Sequence, residues 1–426
     1  MVVRGRARAV VRGVTLGTLT LAACSELYGP SETSVVGTVV DGSLQPAPGI
    51  AVLLAGRPAT TTDQAGRFAA TSVPQPYDAV VTLPAREVAV VYTGLTRRDP
   101  TLYLPVFSLL NVLVDHHTDM RGVVTGGAGY PEPVNHRSSV LFLSPAALGS
   151  AAVSHVTGGY HLVPHWLGAR GTTGTVHVLQ WQYSRATGLP LSYTGYGSRA
   201  AVTLADRDTV SGLDVQLAPV VTGLLSGTVT LPPGYALSAK SVSLVLGTVG
   251  GTPAEWSLGN DATPLPEFAY ATPVLEGATF DVAASATAVG GASTAAARAG
   301  LSANAGKVVL ALPPSVELGA PAEGEAGVRA GTRLSWSRAS GGVYLVEVGP
   351  NDQGPTYWIL TADTAATIPD LGPLGFGLPA GASYLWAVAA VTPFASVDAT
   401  AGPTALRPSG DWTTSVSATR HFTTAP

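Results

Sequence analysis

The chain has one cysteine, Cys24, in 426 residues, so no intrachain disulfide framework holds it together. Lysine is nearly as scarce: only Lys240 and Lys307 occur, too few to form a patch. Charged residues make up 12% of the chain against 46% apolar ones. That balance excludes the low-hydrophobicity, high-charge class of disordered chains. Long hydrophobic runs are also missing. Beyond Cys24 no stretch approaches the roughly 20 apolar residues a spanning helix needs. P-loops, dinucleotide fingerprints, nucleophile elbows and the H-x-x-E and H-E-x-x-H zinc frames are absent as well. The sequence therefore assigns no catalytic residue, implies no cofactor or resident metal, and reads as a non-enzyme.

What is present begins with an export signal. Arg4, Arg6, Arg8 and Arg12 form a positive leader, and Val14 to Ala23 a short apolar segment. That segment suits an export signal and is too short to span a bilayer. It ends in Leu21-Ala22-Ala23-Cys24. This tetrapeptide resembles the lipobox of bacterial lipoproteins. The resemblance implies cleavage before Cys24, lipidation of its thiol and acylation of its new amino group. Several acyl chains hold a protein to a membrane where one does not, since each buried methylene contributes about 0.8 kcal/mol. A lone thiol in an oxidising compartment otherwise lacks a purpose, and a plain secretory signal with an accidental cysteine is the alternative. Ser25, where an Asp favours inner-membrane retention in such lipoproteins, implies sorting to the outer membrane. The expected location is the cell envelope, facing the periplasm or the exterior.

Cleavage removes four of the 23 basic residues and leaves 19 against 27 acidic ones, a formal net charge of −8. Phosphate binding needs a positive surface, so nucleic acid is not an expected partner. The partners expected are the membrane, through the lipid, and a protein or glycan.

The 50 glycines and 33 prolines punctuate short runs rich in Val, Thr, Leu and Tyr, the pattern of an all-β chain with many turns. The expected fold is a tandem of transthyretin-like and immunoglobulin-like β-sandwich modules. They follow a signal peptide at 1–23 and a tether at 24–34, and span 35–114, 115–219, 220–313 and 314–426. In the first module, Val35 to Asp41, Ile50 to Leu54 and Tyr77 to Leu83 read as strands, and Thr60 to Phe68 as a strand, a tight turn and the start of another strand. Asp63 and Gly66 supply turn chemistry between two of them. This series resembles the carboxypeptidase regulatory-like domain over roughly residues 35–106, which implies a transthyretin-like sandwich without catalytic residues. Strand placement after Ala85 fits that family less well.

Gly122-Val123-Val124 and Gly227-Thr228-Val229 echo Gly37-Thr38-Val39, so two sandwiches of related layout are expected to follow. Residues 283–306, rich in Ala, Gly, Ser and Thr, read as a mobile loop or as weakly patterned strands. Residues 314–426 resemble a fibronectin type III domain. Arg333 to Ser337 carries a core Trp336, and Gly342 to Val348 forms the next strand. Tyr384 is placed as a corner tyrosine bonded to upstream backbone. Thr392 to Ser417, with Trp412, is a long connection before a last strand at Arg420 to Thr423.

Candidate sites lie in the second module. His177, Leu179, Trp181 and Tyr183 share one face of a strand, with Trp166, Tyr193 and Tyr196 nearby in sequence. Such a face reads first as sandwich core and second as a platform for a sugar or peptide, with Trp166, Trp181 and Tyr183 as its binding residues. Seven of the eight histidines fall between His116 and His177. His161 and His165, four apart, and the Asp115–Asp119 run with His116 and His117 offer imidazoles that bind zinc or copper. Loop and turn residues are the plainer reading of both groups. They motivate the alternative of a cryptic metal-dependent hydrolase within 115–219. Asp206, Asp208 and Asp214, like Asn351 and Asp352, read as turn-formers before calcium ligands.

Overall fold

A computed structural model describes residues 32–42, 44–57, 60–104, 116–166, 168–339, 342–403, 406 and 410–426. The expected export signal, Cys24, most of the expected tether and Asp115 lie outside them. The chain is all-β, and among the described residues no helix is long and apolar enough to cross a membrane.

The first module runs through β1 (Glu32–Val40), β2 (Ala51–Leu54), β3 (Thr60–Thr61), β4 (Arg67–Pro74), β5 (Tyr77–Leu83), β6 (Val88–Leu95) and β7 (Thr101–Tyr103). The second comprises β8 (His116–Gly126), β9 (His136–Leu143), β10 (Ala147–Ala152), β11 (Gly159–Leu162), β12 (His165–Trp166), β13 (Gly171–Tyr183), β14 (Pro190–Ala205), β15 (Asp208–Val210) and β16 (Val215–Leu217). The third holds β17 (Thr222–Thr230), β18 (Tyr235–Val249), β19 (Thr252–Asp261), β20 (Glu267–Pro273), β21 (Thr279–Ala288), β22 (Ser293–Leu301) and β23 (Val308–Ala311). The fourth holds β24 (Leu318–Ala320), β25 (Glu325–Val328), β26 (Arg333–Trp336), β27 (Val343–Pro350), β28 (Thr356–Thr361), β29 (Ala365–Thr367), β30 (Ser383–Thr392), helix α1 (Val397–Thr400), β31 (Trp412–Val416) and β32 (Arg420–Thr424).

The first three modules share one strand plan. In each, the opening strand lies antiparallel to the fourth and parallel to the last: β1 with β4 and β7, β8 with β11 and β15–β16, β17 with β20 and β23. The second sheet of each runs β3-β2-β5-β6, β10-β9-β13-β14 and β19-β18-β21-β22. The short β12 adds a link between β8 and β10.

The repeated glycine has a steric cause. Gly37, Gly122 and Gly227 stand directly opposite Phe68, Tyr160 and Phe268 on the neighbouring strand. A Cβ on Gly37 would sit 2.5 Å from the Phe68 ring and from the Pro100 carbonyl oxygen. On Gly122 it would lie 2.4 Å from the Leu213 carbonyl oxygen, and on Gly227 2.0 Å from that of Val308. The bare glycine lets an aromatic ring cross the strand and the parallel strand approach, so one packing device occurs three times.

The fourth module is a sandwich of another plan, with β24-β26-β29 facing a sheet built on β30, β27 and β28. It joins the first and third modules edge to edge. β28 pairs in parallel with β6, Thr356 opposite Val88 through Leu360 opposite Tyr92. β31 pairs with β22, Ser293 opposite Val416 through Ala297 opposite Trp412, and also with β30. A single 14-stranded sheet thereby runs from β19 to β3. Asp398 of α1 adds a clasp, accepting the Thr96 and Arg97 backbone N–H groups at 2.8 and 3.0 Å.

Of the two readings of residues 283–306, the strands hold, since the segment contains most of β21 and all of β22. One sequence reading is corrected. The connection from Thr392 to Ser417 carries β31, the strand that reaches the third module. Tyr384 is buried and its hydroxyl donates to upstream backbone, as expected: the acceptor is the Pro355 carbonyl at 3.3 Å, in the β27–β28 connection.

Candidate functional site

The second module's β10-β9-β13-β14 sheet has two unlike faces. Along β13, Val176 and Val178 turn inward with Val140 and Phe142 of β9, toward Met120, Val124 and Trp166. Gln180 shares that inward face and is fully buried. Its Oε1 accepts the Ala128 N–H at 2.6 Å and the Thr194 hydroxyl at 3.1 Å, and its Nε2 donates to Glu132 at 3.4 Å. Ser138 donates its hydroxyl to the same Glu132 oxygen. A buried amide is tolerated because its polar atoms are satisfied.

The alternate residues His177, Leu179 and Trp181 turn outward. Leu179, with Leu141, Leu143 and Tyr193, joins the buried cluster of the third module beside Leu225, Trp256 and Phe280. The aromatic face is therefore not the core of its own sandwich, which corrects the first reading of that pattern. It is the sheet's outer face, and the third module covers half of it.

The other half is an open groove of about 840 Å³. Arg137 and Ser139 of β9, Ser150 and Ala152 of β10, and Trp181 and Tyr183 of β13 line it, with Asn135, His136, His155 and Arg185 at the rim. Arg137 stands opposite Trp181 in the β9–β13 register, and its guanidinium carbon lies 4.0 Å from the centroid of the Tyr183 ring. Two register shifts in the β13–β14 pairing, at Gln180/Trp181 and Gln182/Tyr183, twist the end of β13 where these rings sit. Arg185 Nε donates to Asn135 Oδ1. The Tyr183 N–H donates to the Asn135 carbonyl at 2.9 Å and the Glu132 N–H to the His155 carbonyl at 2.7 Å, so backbone bonds hold the rim. Half-buried rings, a guanidinium beside them and hydroxyl-bearing strands form a surface that can hold a ring-shaped polar ligand.

Of the sequence candidates, Trp181 and Tyr183 meet in this groove and Trp166 does not. Trp166 is 3% exposed, its indole N–H donates to the Ala169 carbonyl at 2.8 Å, and its ring lies 5.8 Å from that of His116. The histidines disperse. His161 Nε2 pairs with Asp119 at 2.5 Å on β11 and β8, whereas His165, across Pro164 on β12, stacks on His117 at 5.6 Å. His116 directs Nδ1 to Asp206 at 3.2 Å and Nε2 to the Gly168 carbonyl at 3.1 Å. No group of three His, Cys, Asp or Glu side chains able to hold a metal forms among the described residues. Asp208 and Asp214 accept the Thr209 and Val123 N–H groups at 2.7 and 2.9 Å. Trp412 lines a second cavity, of about 770 Å³, where Leu44, Pro145, Asp281 and Trp412 bring all four modules together.

Arg137, Arg185, His136 and His155 are groove residues that the sequence reading did not single out. The signal available was Asn135-His136-Arg137 entering a strand in a chain with few basic residues.

No protein-family model matches the chain, and no curated protein matches it. Among solved structures it is similar to a DUF3823 family protein from Parabacteroides merdae, at 9% identity over 40% of this chain and 92% of that one, with a TM-score of 0.14. It is also similar to BcpA, the major pilin subunit of Bacillus cereus, at 8% identity over 66% of this chain and 99% of that one, TM-score 0.14. A tetra-tandem repeat in the extending region of a large adhesion protein matches at 14% identity over 84% and 95% of the two chains, TM-score 0.14. Likenesses of this size assign no function.

Proposed function

We propose that the chain is a non-enzymatic, lipid-anchored envelope protein, attached through Cys24, whose sandwich modules present a glycan-binding groove on the second module. Lipidation rests on the lipobox resemblance and on the position of the lone cysteine. The outer membrane is the proposed location, from Ser25. A transthyretin-like identity for the first module, shared by the second and third, is supported by their common strand plan. A fibronectin type III identity for the fourth is supported by its two-sheet order.

One observation carries the binding reading: Trp181, Tyr183 and Arg137 line a groove in which rings and a guanidinium remain accessible. Rings with polar tips stack on the C–H faces of a sugar while neighbouring donors take its hydroxyls. The test is a glycan array probed with the mature chain and with Trp181→Ala. Binding lost in the variant supports the reading, and absence of binding by the parent chain removes it. Anchoring is tested separately by membrane fractionation. The parent protein is expected in the membrane fraction and Cys24→Ala in the soluble one, and a variant that stays with membranes overturns the lipid mechanism.

A further inference from the structure

We infer that the ligand of the second-module groove is an acidic saccharide, a sugar ring bearing a carboxylate. This rests on the binding reading above and deepens it. The mature chain is acidic, with 19 basic against 27 acidic residues, yet two of those few guanidiniums, Arg137 and Arg185, line one groove together with the imidazoles of His136 and His155. Glu132 is the single carboxylate among the lining residues. Its Oε1 is drawn into the interior by Ser138 and the buried Gln180. The groove therefore offers positive charge to a ligand where the molecule as a whole is negative.

The cations are placed for recognition rather than for general attraction. Arg137 lies over the Tyr183 ring at 4.0 Å, so its guanidinium is held against the ring face. Arg185 is oriented by Asn135. An oriented guanidinium matches the two oxygens of a carboxylate, a geometry that a lysine ammonium lacks. Trp181 and Tyr183 supply ring faces beside it. At about 840 Å³ the groove falls within the range of small-ligand sites. The formal net charge of −8 on the mature chain opposes an extended polyanion such as nucleic acid, whereas a short acidic sugar needs only the groove itself.

The test compares trigalacturonate with its methyl ester, which removes the carboxylate charges at the cost of one added methyl per sugar, titrated calorimetrically into the mature chain in detergent at near-physiological salt. A single-stranded oligodeoxynucleotide of equal charge is the control. The acid is expected to bind at least about tenfold more tightly than the ester. Arg137→Gln should abolish that preference, and Arg137→Lys should restore only part of it, since the lysine keeps charge and loses the planar fork. Melting temperatures equal to the parent's certify that both variants are folded. Equal binding of acid and ester overturns the charge inference and leaves the glycan reading standing. Oligonucleotide binding as tight as the acid's overturns it also, showing an unspecific cationic patch. If the ester, the acid and every arrayed glycan fail to bind, the glycan reading itself falls.

Discussion

The outer face of the second module's sheet is divided between two fates. Leu141, Leu143, Leu179 and Tyr193 are buried under the third module. Arg137, Ser139 and Tyr183, on the same strands a few residues away, line an open groove, and Trp181 stands at the boundary, lining the groove while packing against the covered cluster. Strand geometry alone treats both halves alike, because alternate residues point outward along the whole length. The division is set by how far the neighbouring module reaches. The covered half should govern stability and the open half should govern binding, and each substitution below bears on that separation.

The largest effect is expected where the covering module holds a buried charge. Lys240, 1% exposed, and Asp261, 7% exposed, stand opposite each other on β18 and β19, with Nζ 3.1 Å from Oδ2. Nζ also donates to the carbonyls of Thr263 and Leu265 at 3.1 and 2.6 Å and to the Thr263 hydroxyl at 3.0 Å. Burial pushes the Asp261 carboxyl up, but hydrogen bonds from Thr263 and the Lys240 ammonium outweigh it and hold it below the ordinary carboxylate range. Lys240→Met strands the carboxylate and should cost about 3–5 kcal/mol in the third module's unfolding, followed by denaturant titration. Trimming the contact itself is milder. Leu179→Ala empties a fully buried site and should cost about 2–4 kcal/mol. A loss below about 1 kcal/mol would mean that the covered half is not packed as described.

Much of the strand layout was legible because each sandwich encodes its own faces. Tyr77–Leu83 alternates into a core and is bounded by turns, and the Asp63-Gln64-Ala65-Gly66 turn carries its own hydrogen-bond chemistry: Asp63 Oδ1 accepts the Ala65 N–H at 2.9 Å. The Gly37, Gly122 and Gly227 echo was visible as sequence, but its cause needed Phe68, Tyr160 and Phe268 opposite. What the pattern did not carry is which edges meet. A period of two states which face a residue occupies and says nothing about the strand beyond the edge. Hence β6 against β28, and β22 against β31, were not foreseen, although both make ordinary backbone ladders. For the groove, Trp181 and Tyr183 followed from alternation. Arg137 did not, because an exposed arginine on a strand has the same signature whether or not a ring lies beneath it.

His177 lies on the covered side, opposite Leu141, with Nδ1 2.8 Å from the Tyr196 hydroxyl. Burial of the ring pulls its pKa down from 6.5 to about 4. The unfolded chain therefore takes up a proton near pH 6.5 that the folded chain refuses until about pH 4. Stability is full above the unfolded value and is lost as pH falls through that window. With allowance for the solvent that reaches a half-buried ring, the loss should be about 2 kcal/mol between pH 7 and pH 4. His177→Gln keeps a hydrogen-bonding side chain without a titrating ring and should flatten that slope. An unchanged slope of denaturation midpoint against pH would assign the acid sensitivity to other groups.

The smallest stability effect belongs to the open half. Arg137 is exposed, stacks on a half-buried Tyr183 and forms none of the ion pairs found among the described residues. A cation–π contact at such a site contributes roughly 0.5–1 kcal/mol, and glutamine retains part of the packing over the ring. Arg137→Gln should therefore shift the unfolding free energy by less than about 1 kcal/mol, well below Leu179→Ala on the same sheet face. If the two substitutions cost the same, the third module's cover extends over the groove in solution and the face is not divided. If Arg137→Gln leaves stability unchanged while Leu179→Ala does not, the open half is held in place by the covered one, and its guanidinium contributes little to the fold.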